Sequence, residues 1–353
     1  MIFEGTHPTP RISPDSNHPS VHMFFETATS EAETLASAMN EDFANDVLAG
    51  LTAKPKALPS KYFYNETGDK LFQAIMKLPE YYLTDCEYEV FSMQKQRFLE
   101  LFANDCQRFD LIEFGAGDGF KTKILLEHFL DAQASFRYVP IDISGNVLEE
   151  LSGSLSARWP ELDVAPIEND YFRALEAMPS EAGVKKVVLF LGSNIGNFSP
   201  DQANDFYQRL RERLNPGDLV VTGIDLMKDP EVILAAYNDK AGVTKAFNIN
   251  LLQRINDELD ADFDLTNFAH FPTYDPLTGA TRSFLINQKP QTVVIKKLGA
   301  VIEFGRSEPI YMEQSRKYNI ERIEELASST GFSVVEHVYD CKHWFTNTVC
   351  FWP

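Results

Sequence analysis

The middle of the chain alternates between two hydrophobic periods. Phe109 to Gly115 (FDLIEFG) is a short apolar run ending in glycine, and the KTKILLEHFL that follows places Ile124, Leu125 and Phe129 on one helical stripe. The same exchange recurs in RYVPIDIS followed by NVLEELSGSL, in VAPIEND, and in KKVVLFLGS ahead of another helix. That helix has a legible start: Ser199 as cap, Pro200 in the first turn and Gln202 as the capping-box partner. Phe206, Leu210 and Leu214 continue it, and Pro216-Gly217 ends it before DLVVTGIDL. Alternation of this kind predicts an α/β fold, a mostly parallel sheet with helices on both faces.

On either side the pattern changes. Residues 1 to about 30 are rich in Pro, Ser, Thr and His without a period and read as a disordered or surface-laid tail. Helical spacing runs from Ala32 to Ala53, and Lys61 to Thr84 reads as a helix with an apolar, aromatic-rich face. Past Leu226 come two helical stretches, near Pro230–Asp239 and Thr244–Leu259, then the strand-like runs SFLINQ, QTVVIKKL and AVIEF. A last helix, IERIEELAS, precedes SVVEHVYD and WFTNTVCFWP, which read as a closing antiparallel pair. The chain is therefore expected to leave the sheet, build a second lobe and return to finish the sheet.

Charge narrows the possible partners. With 52 acidic against 32 basic residues the net charge is −20, which opposes nucleic-acid backbones and anionic membranes alike. Four scattered cysteines form neither a disulfide framework nor a metal-ligand spacing, and the seven histidines make no HxH pair and a single HxxxH spacing, His18 and His22 within the tail, so no metal is expected. No secretory pattern or long apolar window is visible, and a cytoplasmic location is expected.

Three strand ends carry the candidate chemistry. Gly115-Ala116-Gly117-Asp118-Gly119 lies between a strand and a helix, where glycines permit a tight turn and a close ligand approach. Phe120 breaks the GxGxxG form of dinucleotide sites; a GxGxG turn is the common form in S-adenosylmethionine-dependent methyltransferases. Asp142, 23 residues past Gly119, ends the next strand and suits ribose hydroxyls; the structural alternative is a helix cap, for which Ser144 is better placed. Asp170-Tyr171 ends the third strand, where a carboxylate suits an adenine amino group and an aromatic suits its ring. Together they favour an adenosyl ligand. Tyr81-Tyr82, Asn197, Tyr237, and Glu313 with Ser315 are polar or aromatic residues suited to a small amino acid, yet each taken singly reads as structural, and spacing does not join them.

The segments KYFYNETGDKLFQAIMKLPEYYLTDCE, LIEFGAGDGFKT, YVPIDIS, LFLGSNIGNF, GIDLMKDPEVILAAYNDKAGVTKAFNINLLQRINDELDADFD and EQSRKY, in this order, resemble the histidine Nα-methyltransferase family of the ergothioneine pathway. That superfamily also includes the fungal prenyltryptophan N-methyltransferases. The resemblance covers the chain from about Leu58 onward. It implies a Rossmann-like S-adenosylmethionine methyltransferase core (residues 86–225 plus 317–353) and an α+β substrate-binding domain (residues 32–85 plus 226–316), after a tail over residues 1–31. Gly115, Lys121, Asp142, Asp170 and Tyr171 match positions around S-adenosylmethionine, and Gly117 belongs to the same turn. Tyr64, Tyr81, Gly192, Asn197 and Tyr237 match the amino-acid pocket, with Asn197 and Tyr237 at the substrate carboxylate and Tyr81 near the α-amine. Glu313 and Ser315 match the pair that contacts the imidazole.

Three positions depart from the family. Ser283, in TRSFLIN, stands where histidine-specific members carry methionine, which implies a roomier or more polar side-chain pocket. Asp118 and Phe120 replace a small and an acidic residue in the glycine loop. The implied activity is methyl transfer to the α-amine of L-histidine, up to the trimethylated betaine hercynine; a tryptophan derivative or a modified histidine is the alternative substrate. The partner is thus a small amino acid, and a monomer is the expectation. A nucleotide-binding oxidoreductase is disfavoured by Phe120 and by the lack of a His or Tyr acid placed after the sheet, and a non-catalytic binding protein by the complete set of matched positions.

Overall fold

The computed structural model describes residues 41–353 except 105, 178–180 and 182; the expected tail over residues 1–31 lies outside them. The chain divides into two compact units, residues 1–46 and 47–353. Of the first, residues 41–46 are described and helical, within a helix that continues to residue 52 (α1).

In the second unit the chain runs through β1 (Lys56–Ala57), α2 (Glu66–Ile75), α3 (Tyr82–Ala103), β2 (Phe109–Phe114), α4 (Thr122–Asp131), β3 (Phe136–Asp142) and α5 (Gly145–Arg158). It continues with β4 (Ile167–Glu168), α6 (Tyr171–Ala177), β5 (Lys185–Phe190), α7 (Pro200–Glu212), β6 (Leu219–Asp225), α8 (Pro230–Tyr237) and α9 (Val243–Leu259). The last part is β7 (Phe268–Asp275), β8 (Ala280–Asn287), β9 (Gln291–Ile295), β10 (Ala300–Phe304), β11 (Pro309–Arg316), α10 (Ile320–Ser329), β12 (Ser333–Tyr339) and β13 (Phe345–Phe351).

Seven strands form the main sheet in the order β12-β13-β6-β5-β2-β3-β4. Strands β2 to β6 run parallel, whereas β13 is antiparallel to both β6 and β12, so the expected closing pair is present. Alternate strand residues feed two cores. Ile112, Val139 and Val188 pack on one side with Phe206, Leu210, Ile323 and Leu326. Leu111, Tyr138 and Val187 pack on the other with Phe91, Phe98, Leu125, Phe129 and Leu155. Burial on both faces explains why these strands read as continuous apolar runs. This is the expected Rossmann-like α/β architecture.

A second sheet has the order β1-β11-β8-β7, with β9 and β10 as a separate hairpin. Two crossings join it to the first, after β6 and before α10. There the backbone N–H of Met227 donates to Tyr318 O at 2.8 Å, that of Tyr318 to Asp225 O at 3.0 Å, and that of Lys317 to Gly279 O at 2.7 Å. The stretch Lys61–Thr84 is not the single helix its aromatic spacing predicts. The Asn65 side chain accepts the Gly68 N–H at 2.8 Å and starts α2 afresh, and the helix ends before Pro79, which removes a donor and disfavours helical backbone at the residue ahead of it.

Candidate active site

The carboxyl ends of β2, β3 and β5 converge. Gly115 follows β2 at φ 71°, and a side chain there would meet the Tyr171 hydroxyl at 2.8 Å and the Asn194 amide at 3.1 Å, so both the turn and the crowding require glycine. Gly117 has a positive φ with open space where a side chain would begin, and its N–H donates to Asp142 Oδ2 at 2.9 Å. The other Asp142 oxygen accepts the Ser144 N–H at 3.0 Å. Burial raises the Asp142 pKa, against the pull of these N–H groups. Ser144 itself caps α5 by accepting the Val147 N–H, which leaves Asp142 other work. Asp170 accepts the Arg173 N–H at 3.0 Å, and Tyr171 packs edge-on against Phe114, Phe190 and Phe198.

Beside these strand ends lies a cavity. Tyr64, Tyr81, Gly192, Asn197, Tyr237, Glu313 and Ser315 all line it, which joins residues that spacing left separate. They reach it from the loop before α2, the start of α3, the end of β5, the end of α8 and β11. Phe72 and Phe247 complete an aromatic wall with Tyr64, with ring centroids 5.7 to 5.8 Å apart. Enclosure raises the pKa of Tyr64, Tyr81 and Tyr237 well above that of an ordinary phenol, so all three are neutral hydroxyls at any physiological pH. Asn194 lines the cavity and also faces Gly115, so the glycine loop and the cavity share a wall.

Glu313 is the cavity's carboxylate. Burial raises its pKa to about 7, while donation from Ser283 and Asn248 holds it back. Ser283 pairs with Glu313 across β8 and β11, and its hydroxyl donates to Glu313 Oε1 at 3.2 Å. Ser283 is not among the residues that line the cavity. Ser283 therefore acts on the carboxylate.

Two buried networks carry residues that sequence reasoning passed over. Glu87, fully buried on α3, ion-pairs with Lys121, accepts the Gly192 N–H at 3.0 Å and accepts from the Asn347 side chain at 3.0 Å. Lys121 is thus tied to the strand end that forms the cavity floor. Asp225, at the end of β6, binds Lys228, the Tyr82 hydroxyl at 2.8 Å and Lys317 at 2.8 Å. Lys317 in turn donates to Tyr237 Oη at 2.7 Å and to Ser315 Oγ at 2.9 Å. A glutamate inside an apolar helical stripe is the one signal that could have marked Glu87; Lys317 and Asp225 become neighbours only in the folded chain.

The family model for histidine-specific, S-adenosylmethionine-dependent methyltransferases matches residues 43–351. The chain belongs to this family. It is 33% identical over 312 residues to a histidine N-alpha-methyltransferase of Mycolicibacterium smegmatis, covering 88% of this chain and 93% of that one. It is 32% identical over 302 residues to one from Mycobacterium tuberculosis, covering 84% of this chain and 92% of the relative. Ergothioneine biosynthesis protein 1 of Neurospora crassa is 29% identical over 287 residues, which are 80% of this chain and 32% of that longer protein. The chain is an S-adenosylmethionine-dependent amino-acid N-methyltransferase with a small-molecule substrate. Its residues fit that methyl donor: a half-buried carboxylate at the end of β3, an open backbone approach at Gly117, and a carboxylate beside an aromatic just after β4. Among the described residues no helix is long and apolar enough to cross a membrane.

Proposed function

We propose that the chain methylates the α-amine of L-histidine, repeatedly, to the trimethylated betaine hercynine. The observation that carries the reading is Glu313, an enclosed carboxylate lining the same cavity as Tyr81, Asn197, Tyr237 and Ser315. An imidazole offers an N–H to Glu313 and a second ring nitrogen to Ser315. An indole has no second nitrogen for Ser315 and fits this pair less well.

In this reading Gly115, Gly117, Lys121, Asp142, Asp170 and Tyr171 hold S-adenosylmethionine, which supplies an already activated methyl group when bound. Residues 86–225 with 317–353 form the part that holds it. Residues 32–85 with 226–316 form the substrate-binding part, with the amino acid held between it and the core, a division supported by the separate sheet that β1, β7, β8 and β11 build. Asn197 and Tyr237 anchor the carboxylate, and Tyr81 orients the amine. Orientation supplies most of the rate, since a neutral amine needs only to be aimed. Free α-amines titrate at about 8, so the amine must shed a proton first. No cavity residue has to act as a fixed base, because water can carry that proton away between transfers. The aromatic faces of Tyr64, Phe72 and Phe247 favour the growing cationic charge of the product. The four cysteines are free, which supports a reducing, cytoplasmic setting.

The test is mass spectrometry after incubation with S-adenosylmethionine and a mixture of the twenty amino acids. A gain of three methyl groups on histidine alone is expected. Methylation of tryptophan or another amino acid in its place would overturn the histidine assignment.

A further inference from the structure

Behind the cavity wall lies a cluster of buried charge that the reaction so far leaves unused. The Lys317 side chain is fully buried, with its ammonium on Asp225 Oδ2 at 2.8 Å, Tyr237 Oη at 2.7 Å and Ser315 Oγ at 2.9 Å. Lys228, 5% exposed, takes the other oxygen of Asp225 and donates to Leu226 O at 2.6 Å and Tyr82 Oη at 3.0 Å. Two ammonium groups therefore share one carboxylate. Glu313 also lies within the field of Lys317, but it faces the cavity and is bonded to Ser283.

Unbalanced buried charge is costly unless a partner of opposite sign arrives. An ammonium can only donate. Tyr237 Oη and Ser315 Oγ therefore receive hydrogens from Lys317; Ser315 also bonds Tyr237, so it is the Tyr237 hydrogen that is kept for an acceptor in the cavity both residues line. The excess positive charge thus reaches the cavity surface as the polarised O–H donor of Tyr237.

We propose that Lys317 is a positioning residue that acts through Tyr237 and makes the cavity select an anionic α-carboxylate over a neutral group of the same shape. This rests on the proposed histidine N-methylation. Asp225 holds the ammonium in place, and Lys228 shares that carboxylate. Lys317 touches no substrate atom.

The experiment compares kcat/KM for histidine and for histidinamide, which keeps the amine and imidazole but has a neutral carboxamide, at one pH. Wild type, Lys317→Met and Lys317→Gln are measured, with S-adenosylhomocysteine binding as the check on folding. Lys317→Met should lower the histidine-to-histidinamide ratio at least about tenfold, chiefly through KM for histidine, which is about 1.4 kcal/mol. Lys317→Gln keeps donors without charge and should lower the ratio nearly as far. An unchanged ratio, or equal losses on both compounds, overturns the inference, because a merely structural lysine would not tell the two apart. If neither variant folds, a crystal structure of wild type with histidine and S-adenosylhomocysteine decides. A carboxylate within hydrogen-bond distance of Tyr237 Oη sustains the inference, and a carboxylate elsewhere overturns it. Wild type that methylates no histidine sinks the functional reading itself, a result separate from a variant that leaves the ratio intact.

Discussion

Glu313 shows how a carboxylate proposed to recognise the imidazole strains the fold that carries it. Its pKa rises from an ordinary carboxyl value to about 7 because enclosure disfavours the charged form. The folded protein therefore binds this proton more tightly than the unfolded chain does. The group's contribution to stability is complete below the ordinary carboxyl range near pH 4.5 and is lost as pH rises through about 7. Glu313→Gln removes the titration while keeping shape and an acceptor for Ser283. Without ligand, the variant should match wild type near pH 4 and exceed it by roughly 1 to 3 kcal/mol at pH 8. It should at the same time lose histidine affinity by about 2 kcal/mol, the worth of a charge-assisted bond, with S-adenosylmethionine affinity unmoved. Urea unfolding at the two pH values and calorimetric titrations with each ligand check both halves; equal stability at pH 8 would mean that the carboxylate is not desolvated. At this scale the sequence named Glu313, Ser315, Tyr237 and Asn197 through family resemblance, since residue type and spacing alone left each one readable as structural. Lys317 lay two positions from Ser315 unnoticed. A lysine in a polar stretch reads as solvated, and only the return of the chain beside Asp225 and α8 buries it.

Among elements, the parallel sheet was the most legible because burial on both faces leaves uninterrupted apolar runs. The start of α7 was legible as well: Ser199 and Gln202 exchange the expected reciprocal bonds. The helix Tyr82–Ala103 was passed over although Leu83, Cys86, Val90, Phe91, Phe98 and Phe102 lie on its buried side, because aromatics and charges also crowd the other faces. Strands β7 and β11 were missed for a related reason. Half of each faces the cavity or solvent, so polar residues such as Glu313 and Gln314 interrupt the alternation. The overlooked α3 carries Glu87, which fastens Lys121 after the glycine loop, Gly192 after β5 and Asn347 on β13. Glu87→Ala would strand a lysine that is only 18% exposed, together with a backbone N–H and a buried amide. A loss of about 3 to 5 kcal/mol is expected, as for other buried pairs broken from one side. S-adenosylhomocysteine binding should weaken with it, because two strand ends lose their common anchor. Denaturant unfolding reads the first effect, and a loss below about 1 kcal/mol would show that Lys121 and Gly192 find other partners.

For the whole molecule, two sheets raise the question of whether the part proposed to hold the donor and the part proposed to hold the amino acid fold separately. Their connections argue against it. Residues 47–353 form one compact unit. The crossing after β6 and the crossing before α10 are laced together by backbone bonds between Asp225, Met227 and Tyr318, with the Asp225, Lys228 and Lys317 cluster buried beneath them. Separating the sheets would open that cluster and expose Tyr237 and Ser315. The second sheet also cannot be cut out as one piece, because β1 comes from far upstream of β7, β8 and β11. Calorimetry of the full chain should therefore show one main transition for this unit. S-adenosylhomocysteine at a hundred times its Kd should add about 2.7 kcal/mol to the whole of that transition by linkage. Two resolved transitions, with only one moved by S-adenosylhomocysteine, would show that the sheets melt independently. The charged cluster would then be a contact between two domains, and the selectivity proposed for Lys317 would depend on how tightly they close.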